Sequence, residues 1–364
     1  MNIKEITASL EAFAPLSFQE NYDNAGLITG DLQWECSGII TTLDATEAVV
    51  DEAIANKCNL IVAHHPIVFG GLKKITSRNY IERTVIKAIK NDIAIYAIHT
   101  NLDNVMNGVN RKIAEKIGLK DLQILQPKEA LLKKLITFAP VDKADEIRNA
   151  IFSAGAGNIG KYDQCSFNTP GEGTFRAGEG ADPYVGEKGK VHREQEIKIE
   201  VILPAYLQQK VVRALIDAHP YEEVAFDIFP LGYFLTDVGS GMVGQLPQEQ
   251  TDNDFLALLK ESFNLKVVRH TGFTGKKIKK VAVCGGAGFF LLEAAKSAGA
   301  DVFITSDIKY HEFFDADGQL LLADIGHYES EQFTTDLLFD LLTQNFPNFA
   351  VLKTGVNTNP VQYF

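Results

Sequence analysis

The sequence predicts an α/β protein in which two similar halves form one core with central mixed sheets, interrupted by a separate α+β domain. Two observations lead to this prediction. Short apolar runs alternate with helical patterns near both ends of the chain, and a stretch of different character lies between them. Such alternation is typical of mostly parallel sheets that carry helices on both faces. The length of 364 residues allows for two or three domains.

Residues 1–127 form the predicted N-terminal half. An opening amphipathic helix, MNIKEITASLEAFAP, is followed by helices in ATEAVVDEAIANK and RNYIERTVIKAIKN. The strands are expected in SGIITTLD, NLIVAHH and IAIYAIHTNLD, which are short apolar runs that end in polar residues. Because ligands of such sheets gather at the carboxyl ends of the strands, these polar residues are candidates for function.

Residues 233–364 are expected to repeat this plan as the C-terminal half. The predicted strands lie in KKIKKVAVCGGAG, DVFITSD, LLLADIGH and FAVLKTG. A helix is expected in FFLLEAAKSAGA, and one long helix in YESEQFTTDLLFDLLTQ. The strand ends of this half therefore supply a second set of candidate residues.

Residues 128–232 have a different pattern and form the predicted inserted domain. Strands are expected in LLKKLITFAP, EIKIEVILP and AFDIFPL, and helices in DKADEIRNAIFSAG and AYLQQKVVRALIDAHP. Residues 155–192 are dense in glycine and are expected to be mostly loops. The order is interpreted as β-α-β-β-α-β, which predicts a ferredoxin-like domain.

Composition narrows the class of protein. A net charge of −12 disfavours binding to phosphate backbones, so nucleic acid is not an expected partner. The four cysteines form no C-x-x-C pair, which argues against a thiolate zinc site and favours a reduced cytosolic protein. No apolar run reaches the roughly 18 residues of a membrane helix, and no basic n-region precedes the first helix. We therefore expect a cytoplasmic protein without a membrane partner.

The motif AHHP places two adjacent imidazoles at the end of a predicted buried strand. Neighbouring side chains on a strand point to opposite faces, so His64 and His65 would rarely bind one ion together. At the end of the strand they could instead reach two ions, one on either side, since histidine is the commonest metal ligand. Alternatively, they close the strand as polar residues that bind loop carbonyls.

Other strand ends add further metal-ligating side chains. His99 and Asp103 end the next strand, and His327 precedes Glu331 by four residues. If a helix begins at about His327, this spacing places both side chains on one helix face. The alternative is a capping cluster, because acidic residues also suit a first helical turn. With the histidine pair, these residues suit two ions about 3.5–4 Å apart better than one tetrahedral zinc.

Five motifs follow one another across the two terminal halves: AHHPIVFGG, HTNLD, VCGGAG, ITSDIKYHEFFDA and GHYESE. Together they resemble the Nif-three-like dinuclear metal centre family, also called GTP cyclohydrolase I type 2 homologues. The resemblance implies a homohexamer with two divalent ions per chain facing an internal cavity, and Glu331 as a bridging ligand. The implied ligands are His64, His65, Asp103, His327 and Glu331. The insert resembles the PII-like and CutA-like insert of longer members, whereas Ser306 departs from the glycine expected in T-G-D.

Further polar residues could act around the ions. Asp307, Lys309 and His311 in SDIKYH could serve as base, anion clamp and acid, or could form a polar loop. Asp44 is expected chiefly to cap the following helix, the alternative being a hydrogen bond to a ligand imidazole. His99 has either such a supporting role or a structural one. The glycine turn in VCGGAG either holds a phosphate or packs a strand against a helix.

These residues predict a di-metal hydrolase that acts on a nucleotide or phosphoester, with water activated as the nucleophile. GTP ring opening is the reaction that the family name suggests. The alternative is a metal-storage or metal-delivery protein, or a regulatory scaffold. An enzyme would keep an open position at one ion, whereas a delivery site would be closed by protein ligands. Imidazole and carboxylate ligands are compatible with Zn, Fe, Mn, Co or Ni.

Overall fold

The chain forms two compact units, which we call the core unit and the inserted unit. The core unit comprises Met1–Pro127 and Thr236–Phe364, and the inserted unit comprises Lys128–Leu235. The computed structural model describes residues 1–129, 131–232 and 235–364. Residue 233, the predicted start of the C-terminal half, lies outside these ranges. Within them, no helix combines the length and apolar character that crossing a membrane requires.

The N-terminal part of the core unit begins with a capped helix. The Asn2 side chain accepts a hydrogen bond from the Glu5 backbone, and the Glu5 carboxylate accepts one from the Asn2 backbone. The helices of this part are α1 (Ile3–Phe13), α2 (Glu47–Ala55), α3 (Tyr80–Lys90), α4 (Thr100–Asp103) and α5 (Val109–Lys116). Its strands are β1 (Gly26–Thr29), β2 (Ile39–Asp44), β3 (Leu60–His65), β4 (Ala94–Ala97) and β5 (Lys120–Pro127).

The inserted unit has the element order β-α-β-β-α-β. Its strands are β6 (Leu132–Pro140), β7 (Ser166–Arg176), β8 (Val191–Pro204) and β9 (Phe226–Pro230). Its helices are α6 (Ala144–Ser153) and α7 (Gln208–Ala218). The strands form one antiparallel sheet in the order β7-β8-β6-β9. The apolar cluster of this unit includes Ile147 and Ile151 of α6 and Val211 and Leu215 of α7, all buried.

The C-terminal part of the core unit contains the remaining elements. Its strands are β10 (Gly239–Gln250), β11 (Arg269–His270), β12 (Ile278–Val283), β13 (Val302–Thr305), β14 (Leu321–Asp324) and β15 (Val351–Lys353). Its helices are α8 (Asp252–Phe263), α9 (Leu292–Ser297), α10 (His327–Glu331) and α11 (Thr334–Asn345).

The core unit has two mixed sheets, and each takes one strand from the other part of the chain. The first sheet has the order β1-β4-β3-β2-β15, in which every pair is parallel except the edge pair β1-β4. The second has the order β11-β14-β13-β12-β10-β5, with a parallel centre and antiparallel edges. The strand in FAVLKTG, expected with the C-terminal elements, therefore completes the N-terminal sheet, and β5 completes the C-terminal one.

Strand β3 lies at the centre of the first sheet and is buried on both faces. Its residues from Leu60 to Ala63 have no exposed surface. A strand covered on both faces needs an unbroken apolar run, which explains the pattern of NLIVA. Burial of each large aliphatic side chain contributes about 1.5–3 kcal/mol to stability, so the end of β3 is held firmly in place.

Three local predictions require correction. The strand in IAIYAIHTNLD ends at Ala97, because Asp23 accepts hydrogen bonds from Thr100 and starts the helical turn α4. The long helix in YESEQFTTDLLFDLLTQ is split into α10 and α11. The Gln332 side chain donates to the Glu329 carbonyl, the acceptor that a continuous helix would use for its own backbone. The glycine-rich segment contains the long strand β7, whose pairing with β8 overrides its poor strand propensity.

Candidate metal centre

The candidate site forms where polar side chains follow strands of both sheets in the core unit. His64 and His65 end β3, and Asp103 lies in the turn α4 that follows β4. His327 and Glu331 are the first and last residues of α10, which follows β14. These side chains supply ligand atoms to groups that lie within 4.8 Å of one another and could hold a metal ion. We call these five residues the ligand cluster.

One carboxylate oxygen lies at the centre of the ligand cluster. The Oε2 atom of Glu331 is 3.8 Å from the Nε2 atom of His64, 3.0 Å from that of His65 and 3.1 Å from that of His327. The helical spacing of His327 and Glu331 thus places both on one face, as the sequence predicts. A carboxylate shared by three imidazoles is suited to bridge two cations.

Two buried atoms of the ligand cluster lack hydrogen-bond partners. These are the Nε2 atom of His64 and the Oδ1 atom of Asp103, which lie 3.7 Å apart. Buried polar atoms of proteins nearly always have partners, so an unpaired nitrogen lone pair facing a carboxylate oxygen calls for a cation between them. The donor set of imidazoles and carboxylates therefore fits divalent metal ions.

The imidazoles are held by their other ring nitrogen. In each case Nδ1 faces an oxygen that can only accept, so Nδ1 carries the proton and Nε2 presents its lone pair in the neutral ring. The pairs are His64 with the Ile98 carbonyl at 2.9 Å, His65 with Asp44 at 2.8 Å, His99 with Asp23 at 2.7 Å and His327 with Asp307 at 2.6 Å. This arrangement fixes both tautomer and ring orientation for metal binding.

The pKa values of several side chains in the ligand cluster are shifted from their ordinary values. Burial would lower the pKa of His65, but hydrogen bonds to Asp44 and Glu331 outweigh it and raise the pKa to about 9. Burial lowers the pKa of His64, which has no exposed surface. Burial and the neighbouring charge of Glu331 raise the pKa of Asp103 well above its ordinary value. Divalent ions would compensate the charges of Asp103 and Glu331.

Gly286 in the glycine turn leaves space for Glu331. Its φ is +58°, and a Cβ atom at this position would lie 2.5 Å from the Oε1 atom of Glu331. Three backbone N–H groups of the turn donate within the protein: from Gly285 to Asn110, from Gly286 to Ser330 and from Gly288 to Thr305. The turn thus packs the end of the strand against α10. Of the two alternatives for VCGGAG, these contacts favour packing of a strand against a helix over phosphate binding.

The ligand cluster adjoins two cavities of the core unit. A cavity of 360 Å³ is lined by His65, Asp103, His327 and Glu331 together with Cys284 and the exposed aromatic residues Tyr22, Phe69 and Phe290. A second cavity of 470 Å³ touches His65 and His327 from the side that contains the C-terminal segment. The cluster is therefore accessible to a small molecule.

The structure places the three predicted catalytic residues differently. Asp307 accepts a hydrogen bond from His327 and so contacts the ligand cluster directly. The described contacts of Lys309 and His311 are with neighbours in sequence: Lys309 lies 3.5 Å from Glu312, and the His311 ring packs against Tyr310 and Phe314. Among the contacts of the described residues, none joins Lys309 or His311 to the ligand cluster.

Asp44 and Ser306 have roles that the sequence left open. The expectation that Asp44 caps α2 is wrong, because Thr46 is the N-cap residue. Asp44 instead accepts a hydrogen bond from His65, as the alternative interpretation proposed. Ser306 does not adopt a left-handed conformation, so glycine is not required there. Its buried hydroxyl donates to the Gly286 carbonyl at 2.6 Å.

Two supporting residues were not singled out from the sequence. Asp23 lies in a loop far from any predicted strand end and holds His99. Thr358, in the C-terminal segment, donates to Asp44 at 2.6 Å and so supports His65 indirectly. A single sequence carries no signal for either contact, because both are made across long separations. His99 itself is close enough to His64 and His65 to join them as a ligand.

Comparison with known proteins identifies the family. The profile of the Duf34/NIF3 (NGG1p interacting factor 3) family matches residues 1–360. The chain belongs to the Duf34/NIF3 family. Among curated relatives, the proteins named GTP cyclohydrolase 1 type 2 homolog from Halalkalibacterium halodurans and Bacillus subtilis are each 38% identical over 368 aligned residues. The alignments cover 100% of this chain and 99% of each relative.

Solved structures of the Duf34/NIF3 family share this fold. The crystal structure of a Bacillus cereus protein related to NIF3 has a TM-score of 0.85 at 38% identity, and a Staphylococcus aureus protein has a TM-score of 0.80 at 31% identity. Both comparisons cover 100% of this chain and 99% of the other. The predicted family resemblance and the mixed α/β fold are thus confirmed.

Proposed function

We propose that the chain is a di-metal hydrolase that acts on a nucleotide or a phosphoester. His64, His65, Asp103, His327 and Glu331 would hold two divalent ions, with Glu331 as the bridging ligand. The observation that carries the proposal is the ligand cluster itself, in which two buried atoms are unpaired beside an accessible cavity. An accessible site favours chemistry over storage, since a storage site would be closed by protein ligands.

When bound, two divalent ions would polarise the substrate and supply a nucleophilic water at neutral pH. The side chains of the chain prepare the site for this chemistry. Asp44 and Asp307 orient His65 and His327, which keeps the Nε2 atoms directed inward. Asp307 therefore acts as a positioning residue. A catalytic role for Lys309 and His311 stays a prediction.

Exposed aromatic rings line the cavity beside the ligand cluster and suit a planar substrate. Tyr22 and Phe69 lie 6.1 Å apart, and Phe290 is 61% exposed. Aromatic rings bind other planar rings by offset or edge-to-face stacking. The name of the curated relatives, GTP cyclohydrolase 1 type 2 homolog, makes GTP one candidate substrate.

The competing proposal is a metal-delivery protein or scaffold without enzymatic activity. The buried unpaired atoms favour it equally, because they require a cation whether or not a reaction follows. We also propose that the chain forms a homohexamer. We further propose that the inserted unit has a ferredoxin-like fold, because its elements follow the order β-α-β-β-α-β and its sheet has the strand order β7-β8-β6-β9.

An activity screen separates the two functions. The metal in the native protein would be identified first, and nucleotides and phosphoesters would then be tested with that metal restored. A hydrolase is expected to lose its activity with chelation and with the Glu331→Ala variant, while an exposed-site variant, Glu293→Ala, retains it. A fully metallated protein that turns over none of these compounds would favour delivery.

A further inference from the structure

The inserted unit contains a cavity of 660 Å³, larger than the one beside the ligand cluster. Its walls come from β6, β7, β8, the segment between β7 and β8, and the turn after α7, all within this unit. Pockets of this size hold small organic molecules. We propose that the cavity binds a small organic cation, in which an amine or alkylated ammonium group is attached to a flat apolar body.

Glycines in β7 create the space. Gly171 lies opposite Glu196 in the pairing of β7 with β8, and a Cβ atom at Gly171 would meet no other atom within 4 Å. At Gly173, a Cβ atom would lie 2.2 Å from a carboxylate oxygen of Glu196. Glycine inside a strand often marks a place where another group approaches the backbone closely. Here the absence of a side chain at Gly171 leaves open space in the cavity, and its absence at Gly173 leaves room for the Glu196 carboxylate.

Aromatic rings form one wall of the cavity. The ring of Tyr221 is central, with its centroid 6.3 Å from that of Phe175 and 6.1 Å from that of Tyr184, at tilted angles. Phe138 completes the set, and Tyr184 is 48% exposed. The faces of aromatic rings carry negative potential and attract ammonium and guanidinium groups. A wall of tilted rings that lines a cavity therefore suits a cation.

The charged residues around the cavity favour the same class of ligand. Glu196 is fixed by a hydrogen bond from the Tyr221 hydroxyl at 2.9 Å. The charged lining residues are four carboxylates and two cations: Glu172, Glu196, Glu222, Glu223, Arg176 and Lys198. One residue of each sign has a charged partner outside the lining: Lys198 lies 3.4 Å from Glu200, and Glu172 lies 2.6 Å from Arg193. The excess of carboxylates repels anions and attracts cations.

The turn after α7 fixes Tyr221 in place. The Nε2 atom of His219 donates to the Phe138 carbonyl at 3.0 Å, and its Nδ1 atom accepts from the Tyr221 backbone at 3.1 Å. His219 is thus a structural residue in DAHPYEE. Tyr221 and the two carboxylates that follow it line the cavity, and Glu222 also accepts a hydrogen bond from the Asp182 backbone. The sequence motif therefore shapes the cavity.

Isothermal titration calorimetry of the full chain tests the proposal. Benzyltrimethylammonium is the cationic probe, benzyl alcohol the neutral one and benzoate the anionic one. The cation should bind about tenfold more tightly than the alcohol, and benzoate should bind least. Tyr184→Ala should weaken binding of the cation about two- to fivefold, and Glu196→Gln about tenfold.

Matched variants outside the cavity provide the controls. Tyr162→Ala removes a tyrosine that is 76% exposed, and Glu194→Gln neutralises a carboxylate two residues from Glu196 that does not line the cavity. Both should bind the cation as the parent does. Equal binding of all three probes, no binding of the cation at millimolar concentration, or equal losses in the control variants would each overturn the proposal.

Discussion

The ligand cluster of the core unit and the cavity of the inserted unit differ in how their polar groups are satisfied. Within the described residues, the buried side-chain atoms that lack a partner all belong to the core unit, and two of them lie in the ligand cluster. In the inserted unit, Glu196 of the cavity already has Tyr221 as a donor. The first site thus has polar atoms that divalent ions could satisfy, whereas Glu196 in the second already has a partner within the protein.

The largest effect is expected from Glu331→Ala, which removes the carboxylate shared by three imidazoles. Metal affinity should fall by at least about 100-fold, since even supporting residues of metal sites contribute tenfold to 100-fold. Elemental analysis of the purified protein measures the result. Glu293→Ala, at a site 80% exposed on the same unit, should keep the parent's metal content. Full metal content in Glu331→Ala would refute its role as a ligand.

Removal of the ions should destabilise the core unit selectively. An ion present at about 100 times its Kd contributes about 3 kcal/mol to the free energy of unfolding. Chelation should therefore increase hydrogen exchange in β3, which carries His64 and His65, and leave β8 unchanged. Mass spectrometry of peptides from both strands measures the difference. Equal increases in both strands would show that the two units do not respond separately.

Gly286→Ala should disturb the ligand cluster by steric contact with Glu331. Gly299→Ala is the matched control, because Gly299 also has a positive φ, of +71°, but its Cβ atom would meet nothing within 4 Å. Both variants should lose about 1–2 kcal/mol through backbone strain. Only Gly286→Ala should lose metal affinity, by about tenfold, in a competition titration with a chelating dye. Similar affinities in both variants would contradict the packing role of Gly286.

A smaller effect separates Asp307 from the two residues predicted beside it. Asp307→Ala should weaken metal binding about tenfold, because His327 loses the acceptor that orients it. Lys309→Ala and His311→Ala should bind metal as the parent does, since their described contacts are with Glu312, Tyr310 and Phe314. The same titration measures all three. A loss in Lys309→Ala equal to that in Asp307→Ala would place Lys309 at the ligand cluster.

The smallest change in metal content is expected when the inserted unit is deleted. Pro127 of β5 and Gly239 of β10 are opposite residues in an antiparallel pair, so a short loop can replace residues 128–235. The shortened chain should remain soluble and bind metal as the parent does. Size-exclusion chromatography followed by elemental analysis tests this. Aggregation or loss of metal would show that the core unit depends on the inserted unit.

Much of the fold could be predicted from local pattern. The buried parallel strands β2, β3, β13 and β14 are apolar runs that lie where the sequence predicts them. The predicted order β-α-β-β-α-β requires a fourth strand, but the position of β7 could not be predicted, because its glycines and proline lower its strand propensity and only its pairing with β8 reveals it. The exchange of β5 and β15 between the sheets depends on contacts across more than a hundred residues of sequence, which periodicity does not record.

The ligand cluster could be predicted because its residues end strands, where the topology of the sheets brings them together. The supporting residues were harder to predict. Asp44 ends a strand, but its side chain could equally have capped a helix until the structure showed Thr46 in that position. Asp23 and Thr358 occupy loops, and their partners lie 76 and 314 residues away in the sequence.

The position of β15 at the edge of the first sheet has a consequence for biosynthesis. A nascent chain cannot finish this sheet until Val351–Lys353 leave the ribosome, on the order of tens of seconds after β2 has emerged. Until then the edge of β2, the strand that carries Asp44, is open to pairing with other chains. Translation products that terminate before β15 would keep this unpaired strand edge and would be prone to aggregation.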